Sequence, residues 1–455
     1  MGKIRRISEF QHTFSFSSRQ EQFSVFHQGF LSSDLGKIYR GIPWDALVQS
    51  FGLSDAKKGP SSIFSPKGKL ALMFLKHYAS CSDRKLIEQL NGNLDYQFFC
   101  DLYLGSTRLS NFKIISEIRC ELSKNLDIDK MQHVLFAHWK DFVEDKHSVT
   151  MDATCYESFV RFPTDQKLLW DCVEWSYKQL KALCKVLKIK LPRTKYLKWK
   201  ARYTGYSKMR KKTKRKRTPL TRSLLLLLAK LTKALDTIEQ NHPLQLPTAY
   251  RQRRSIIKKV YGQQYQIFHT SEKPKGRIIS LDKDYLRPII RGKEVKPVEF
   301  GAKVNKFQID GISFIEHLSF DAFHEGNRFK ETIFKVQWMT KTKNKLAGAD
   351  GIYATNGNRR FATKNKIQTD FKRKGRASKN EKQRIILSKA ITKERATRLE
   401  GSFGKEKEHY YLKKVKARTK KTEVLWIFFG IHTANALEIG RRIHQAQESQ
   451  LAKTA

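Results

Sequence analysis

Acidic residues are scarce in this sequence of 455 residues: 43 Asp and Glu stand against 90 Lys and Arg, which leaves a net charge of +47. Such an excess repels itself in a compact body unless a polyanion lies against it. Nucleic acid is the favoured partner, because neutralisation of phosphates by Lys and Arg supplies most non-specific affinity for DNA and RNA. An anionic membrane surface is the alternative. Hydrophobic residues make up 40% of the chain, so a core can form.

Cysteine and long apolar runs are also limited, and each shortage excludes a class of protein. The six cysteines include no CxxC pair, which argues against a zinc ribbon and against a disulfide framework. The longest aliphatic run, Leu224–Leu228, falls far short of the roughly 20 residues that span a bilayer. No apolar segment follows the basic start, so no signal peptide is predicted. We expect a soluble, cytoplasmic protein that makes no membrane contact.

The first part of the chain predicts a lead-in followed by helices. Residues 1–60 are rich in Ser and Phe without a clean period, which predicts a loosely structured lead-in. Residues 61–145 predict a helical domain, with Pro66 suited to the first turn of one helix and Ser82 to the cap of the next. Several short helices in a basic chain are compatible with a helix-turn-helix, but their spacing alone favours a plain helical bundle.

A strongly basic segment lies between two predicted helical stretches, at about residues 165–190 and 219–240. Four of its residues are singled out as DNA contacts: Lys211, Lys212, Arg215 and Arg217. The segment is interpreted either as a solvated loop or as an arm that contacts phosphates, with several aromatic residues just upstream. A nuclear address would require a eukaryotic host, which nothing in the sequence supports.

Strand spacing identifies three further places in the chain. Apolar and polar residues alternate from residue 148 and surround Asp152. Asp310-Gly311 lies between two alternating stretches and is typical of a type I′ hairpin turn. A short strand is predicted to lead into Asp350, and a helix is predicted from about residue 392 to residue 415.

Three acids stand out in a chain that has few of them. Asp152 and Asp350 lie at or beside predicted strands, and Glu400 lies on a predicted helix. Carboxylate oxygens suit Mg²⁺, and two Mg²⁺ ions roughly 3.5–4 Å apart can clamp the attacking and leaving oxygens of a phosphodiester. Taken singly, each acid is equally well interpreted as a turn, capping or surface residue, and periodicity alone does not show that the three converge.

The segments around these acids resemble the catalytic blocks of the DDE transposases encoded by bacterial insertion sequences. Asp350 is followed three residues later by Tyr353, and Glu400 is followed seven residues later by Lys407, as in the second and third blocks of that family. The stretches 65–72 and 82–90 resemble its helical N-terminal domain, and 291–303 resembles the strand before the second Asp. The resemblance runs from about residue 60 to residue 440.

The resemblance implies an α/β fold with a ribonuclease-H-like mixed sheet, flanking helices and a helical N-terminal domain for DNA binding or dimerisation. Asp152 would lie on the first strand, Asp350 after the fourth, and Glu400 on a following helix. The separation of the two Asp residues is too long for such a core. A mainly helical insertion is therefore expected at about residues 165–275 of a catalytic domain spanning 146–440, with a polar tail at 441–455.

The resemblance also assigns residues near DNA. Lys407 matches the family pattern and is expected to contact DNA. Many relatives carry an Arg four residues before the Glu, but here that position is Ala396. Arg395 and Arg398 lie beside it, and we expect them to be near DNA without a more specific role.

The implied function is metal-dependent cleavage of DNA at the ends of a mobile element, followed by strand transfer into target DNA. Asp152, Asp350 and Glu400 would hold two Mg²⁺ ions, for which Mn²⁺ could substitute. The partners would be double-stranded DNA, as terminal inverted repeats and as target, and a second copy of the chain. The protein would act on the bacterial nucleoid.

Three alternatives remain at this point. The chain could be a DNA-binding protein derived from a transposase that no longer cuts, a nuclease of the same fold that cuts but does not join, or a basic RNA-associated or ribosome-associated protein without enzymatic activity. Metal-dependent cutting separates the first and third alternatives from an enzyme, and joining of the cut strand separates the nuclease from a transposase.

Overall fold

The computed structural model describes residues 19–55, 62–242, 245–290, 297–375 and 381–454. Among these residues, eight α-helices precede the first strand: α1 Arg19–Ser32, α2 Asp34–Arg40, α3 Trp44–Ser50, α4 Pro66–Ala79, α5 Asp83–Gly92, α6 Leu94–Phe99, α7 Lys113–Leu122 and α8 Ile128–Trp139. Polar caps start several of them. The Ser65 hydroxyl accepts the Gly68 N–H before the first-turn Pro66 of α4, and Ser82 accepts the Lys85 N–H before α5, as predicted.

Part of the predicted lead-in is helical. Residues 19–50 form α1, α2 and α3, whereas residues 1–18 and 56–60 of that prediction lie outside the described residues. The helices are short, so no long apolar period marks them, yet Phe30, Ile38 and Phe51 are buried in the main core. Gly41, the C-cap of α2, and Gly440 belong to the contact between α2 and the last helix, α17 Lys420–Thr454, where a Cβ on Gly440 would overlap the Lys37 carbonyl oxygen.

Six strands in the described part of the chain form one mixed sheet. They are β1 Ser148–Glu157, β2 Pro288–Ile290, β3 Val298–Ile309, β4 Ile312–Ser319, β5 Leu346–Ala349 and β6 Gln368–Thr369. Strand β3 pairs antiparallel with β1, with β4 and, at its start, with β2, whereas β5 pairs parallel with β1 and β6. The resulting order is β4-β3-β1-β5-β6, with β1 in the middle.

The hairpin between β3 and β4 has the predicted turn. Asp310 and Gly311 have φ angles of 48° and 78°, and positive φ at both central residues is the mark of a type I′ turn. Arg442 of α17 donates hydrogen bonds to the Asp310 carboxylate and to its carbonyl oxygen, at 2.8 Å each. The turn therefore also anchors the last helix.

The described residues between β1 and β2, where the sequence predicts a mainly helical insertion, form four helices: α9 Asp165–Val186, α10 Tyr196–Lys208, α11 Lys214–Asn241 and α12 Thr248–Thr270. They enclose a hydrophobic core separate from that of the sheet, built largely from α9 and α11. Most of the leucine run 224–228 is buried in this core. The run therefore serves packing within the insertion. No described helix is both long enough and apolar enough to cross a bilayer.

The remaining helices cover the sheet. They are α13 Phe329–Thr340, α14 Asn356–Lys364, α15 Glu381–Glu394, α16 Gly401–His409 and α17. A π-helical turn, Arg395–Glu400, joins α15 to α16, so the helix predicted from about residue 392 begins earlier and ends earlier. The predicted polar tail at 441–455 continues α17 as helix through Thr454, because residues such as Arg442 pack against the hairpin instead of ending the helix. Residues 291–296, part of the resemblance before β3, lie outside the described residues.

Candidate active site

The three acids predicted from the sequence line one cavity of about 840 Å³. Met151 of β1 pairs with Ala349 of β5 in a parallel register. Asp152 and Asp350 each follow that pair by one residue, so adjacent parallel strands present them side by side. Glu400 comes from the other wall of the cavity, at the end of the π-helical turn.

Asp152 is the most enclosed of the three acids, with 18% of its side chain exposed. Burial raises the pKa of Asp152 to about 6; the hydrogen bond that Ala153 N–H donates to it opposes this shift, and the charge of Glu325 adds to it. A buried carboxylate with a raised pKa gains from a nearby cation. Such a group in a cavity is a typical feature of a functional site.

The turn after β5 fixes Asp350. Its carboxylate accepts the Gly351 N–H at 2.6 Å and caps a short 3₁₀ turn, Gly351–Tyr353. Tyr353, the aromatic residue of the sequence motif, is fully buried and donates a hydrogen bond from its hydroxyl to Asn305 of β3. The aromatic residue therefore holds the turn against the sheet, while the carboxylate of Asp350 stays open to the cavity.

A π-helical turn brings Arg395 to Glu400. The guanidinium Nη1 of Arg395 donates a hydrogen bond to Glu400 Oε1 at 2.6 Å and lies 3.9 Å from Asp152 Oδ2. In an α-helix the residue four before Glu400 would share its face, and that residue is Ala396. Because a π-turn contains one residue more, Arg395 takes that place and contacts Glu400, a contact that the residue count in the sequence does not predict.

Deleting Ala396 is expected to turn the π-turn into an ordinary α-turn and to leave α15 and α16 in place. Ala396 is exposed and has no polar side-chain group, so the melting temperature should change by no more than about 4 °C, the shift that roughly 1 kcal/mol produces in a larger domain. Thermal unfolding followed by circular dichroism measures this.

A deletion of Lys405 is the matched control. Lys405 is also exposed, but it precedes Glu406, which pairs with a buried lysine of β3, so its loss would rotate Glu406 away from that lysine. The Lys405 deletion should therefore unfold at a much lower temperature. Equal losses from the two deletions would contradict a special role for the π-turn.

Arg398 and Lys407 occupy different surroundings. Arg398 is half exposed and pairs with Asp310 of the hairpin at 3.1 Å, outside the cavity lining. The Lys407 ammonium lies in the cavity and donates a hydrogen bond to Thr154 Oγ1 at 2.9 Å. Thr154 is two residues along β1 from Asp152 and therefore faces the same side of the sheet.

Two acids at or beside the site, Glu325 and Asp370, have no counterpart in the sequence-based prediction. Glu325 lines the cavity and pairs with Lys303 of β3 at 2.8 Å. Asp370 follows β6, accepts the Ala349 N–H at 3.0 Å and lies 3.9 Å from the Arg395 guanidinium. A strand of two residues is too short to show alternation, so no period signals Asp370. Glu325 begins a single 3₁₀ turn, Glu325–Arg328, which is also too short to show a period.

The basic segment of the insertion lies outside this cavity. Its four predicted contacts, Lys211, Lys212, Arg215 and Arg217, are all exposed. The first two precede α11 and the last two lie in its first turn, so half of the segment is helix and not loop.

The donor chemistry of Asp152, Asp350 and Glu400 fits Mg²⁺, because three carboxylates open into one cavity. As the side chains stand, no group of three or more His, Cys, Asp or Glu residues within the described ranges is close enough to hold a metal ion. The Arg395 guanidinium instead lies against Glu400 and near Asp152.

A comparison with known families matches residues 28–121 to the family described as Transposase domain (DUF772). The match covers less than a quarter of the chain, from the end of α1 to the end of α7, and includes both N-terminal stretches that carry the sequence resemblance. No curated protein and no solved structure matches the chain. The family match supports a transposase, a class of enzyme that binds and cuts DNA.

Proposed function

We propose that this chain is a DDE transposase whose catalytic domain is ribonuclease-H-like, and that Asp152, Asp350 and Glu400 hold two Mg²⁺ ions. One observation carries the proposal: adjacent parallel strands present Asp152 and Asp350 to the same cavity as Glu400. The strand order β4-β3-β1-β5-β6, with antiparallel pairing on one side of β1 and parallel pairing on the other, supports such a fold.

The proposed reaction is DNA cleavage at the ends of an element followed by joining of the freed 3′-hydroxyl to target DNA. Bound Mg²⁺ would activate the attacking oxygen and stabilise the leaving oxyanion, and both steps are in-line displacements at phosphorus. The side chains of the chain itself would position the DNA. The ammonium groups of Lys407 and Lys303 lie in the cavity, where a phosphate would meet them.

The test uses the purified full chain and a linear DNA that carries the ends of its own element, with Mg²⁺, with Mn²⁺ or with EDTA. Metal-dependent nicking at the ends, followed by joining to a target plasmid, is the expected result. Cutting without joining would indicate a nuclease, and tight binding without cutting in either metal would indicate an inactive DNA-binding protein. The size of the complex on paired ends tests the proposed homodimer.

The exposed basic segment is proposed to contact DNA phosphates. The charge of the segment is removed in a variant that has Gln at four positions, Lys211, Lys212, Arg215 and Arg217. Each lost phosphate contact lowers the slope of log affinity against log salt by about 0.9. We therefore expect the slope to fall by about 3 to 4, with weaker binding to specific and non-specific DNA alike. Fluorescence anisotropy from low to moderate salt measures both.

A control variant removes the same charge from the opposite edge of the sheet. Acids of the site follow β5 and β6, whereas exposed lysines precede these strands. The control replaces four of these lysines with Gln: Lys341, Lys343, Lys364 and Lys366. This variant should keep the parent slope to within about one unit. Equal effects in both variants would mean that overall charge, and not the arm, determines binding.

A further inference from the structure

The Arg395 guanidinium lies among three acidic side chains. It is 2.6 Å from Glu400, 3.9 Å from Asp152 and 3.9 Å from Asp370. Only 14% of the Arg395 side chain is exposed. The guanidinium holds Glu400 and stands beside Asp152, so a divalent ion that binds oxygens of both acids must displace it.

The contacts of Arg395 are incomplete. Its Nε is buried and has no hydrogen-bond partner among the described residues, and two of its three carboxylate neighbours are at 3.9 Å, beyond hydrogen-bond distance. A buried N–H without a partner costs free energy. A phosphate of bound DNA offers a guanidinium two parallel hydrogen bonds, which is a stronger arrangement.

We propose that Arg395 and a divalent metal ion are alternative partners of Glu400 and Asp152, and that DNA phosphate releases the acids by taking the guanidinium. This inference rests on the metal site of the proposed function. Its consequence is an order of events: the acids bind metal weakly in the free protein and tightly once DNA is in the cavity. Metal-dependent cutting is thereby restricted to a cavity that already holds its substrate.

The experiment measures Mn²⁺ binding directly, from the electron paramagnetic resonance signal of the free ion, on the full chain without DNA and with an uncut DNA end. Without DNA, Arg395→Gln is expected to bind Mn²⁺ about tenfold more tightly than the parent chain, which corresponds to about 1.4 kcal/mol. Addition of DNA should raise the Mn²⁺ affinity of the parent chain. It should leave the Mn²⁺ affinity of Arg395→Gln unchanged, because that variant has no guanidinium to displace.

Two variants separate competition from a simple loss of charge. Arg398→Gln removes the same charge from the same π-turn, but Arg398 pairs with Asp310 outside the cavity, so its Mn²⁺ affinity should equal that of the parent. Arg395→Lys keeps the charge and lacks the planar fork, so it should bind Mn²⁺ more tightly than the parent does. Arg395→Gln and Arg398→Gln with equal affinities would overturn the inference.

The failure of the proposed function would look different. If neither the parent chain nor Arg395→Gln binds Mn²⁺ in a way that Asp350→Asn abolishes, with or without DNA, the metal site itself is wrong and the inference falls with it. If the parent chain alone binds Mn²⁺ as tightly as Arg395→Gln at a site that Asp350→Asn abolishes, the metal site stands and only the competition is overturned.

Discussion

An Asp350→Asn variant is expected to bind DNA as tightly as the parent chain and to cut it at least roughly 10³-fold more slowly, a loss of about 4 kcal/mol in transition-state stabilisation. The amide oxygen of Asn can still accept the Gly351 N–H that Asp350 accepts at 2.6 Å, so the turn should keep its shape. What is lost is the charge that the proposed metal ions need. Single-turnover cleavage of an end-labelled DNA measures the rate, and anisotropy measures the binding.

The control for this prediction is Asp282→Asn, because the Asp282 side chain is 86% exposed and pairs with Arg253 of the insertion. It should cut DNA at the parent rate. An Asp350→Asn variant that also cut at the parent rate would remove Asp350 from the reaction. A variant that neither cut nor bound DNA would point to a damaged fold, which thermal unfolding detects separately.

The strands that carry the site could be predicted from the sequence where alternation or a turn dipeptide was strong. The alternation around Asp152 placed β1, and Asp310-Gly311 placed the hairpin, since positive φ at both positions favours that dipeptide. The short helices of residues 19–50 were not predicted. Each has only one or two buried turns. Their apolar residues are buried in part by α17, which packs on α2 although it lies nearly 400 residues later in the chain.

The site shows a similar division. The positions of Asp152 on β1 and of Asp350 directly after β5 could be predicted, because alternating or apolar strands leave a signal in the sequence. The contact between Arg395 and Glu400 was not found, since the count of four residues to Ala396 assumes an α-helix and the chain has a π-turn there. A single extra residue within a helix cannot be recognised from the composition or the hydrophobic period of the sequence. It is visible only in the structure.

A second large effect is expected from Lys306, which lies directly opposite Asp152 in the pairing of β3 with β1. Its side chain is fully buried, and its ammonium donates hydrogen bonds to Glu406 and to Ser402 of α16, each at 2.6 Å. Burial lowers the pKa of Lys306, and the charge of Glu406 opposes that shift. This pair is therefore a buried ionic link between the sheet and the helix that follows Glu400.

Lys306→Met should lower the free energy of unfolding by about 3–5 kcal/mol, because it leaves the Glu406 carboxylate buried without its cation. The double variant Lys306→Met with Glu406→Gln removes both charges and should recover a large part of that loss, since a neutral replacement of a buried ion pair is often close to neutral in stability. Urea unfolding of the parent, the two single variants and the double variant gives the coupling energy. Independent, additive losses would contradict a direct pair.

Function should not recover in step with stability. Tyr156 of β1 also donates a hydrogen bond to Glu406, so the same carboxylate ties α16 to both strands beneath the cavity. In the double variant α16 loses its ion pair with β3 and keeps only neutral contacts and the hydrogen bond from Lys407 to Thr154. A shift of about 1 Å at a reacting group can cost roughly 10²-fold in rate. If the double variant is stable and binds DNA but cuts it slowly, the ion pair positions Glu400 and Lys407 for the reaction. One that cuts at the parent rate would limit the pair to folding.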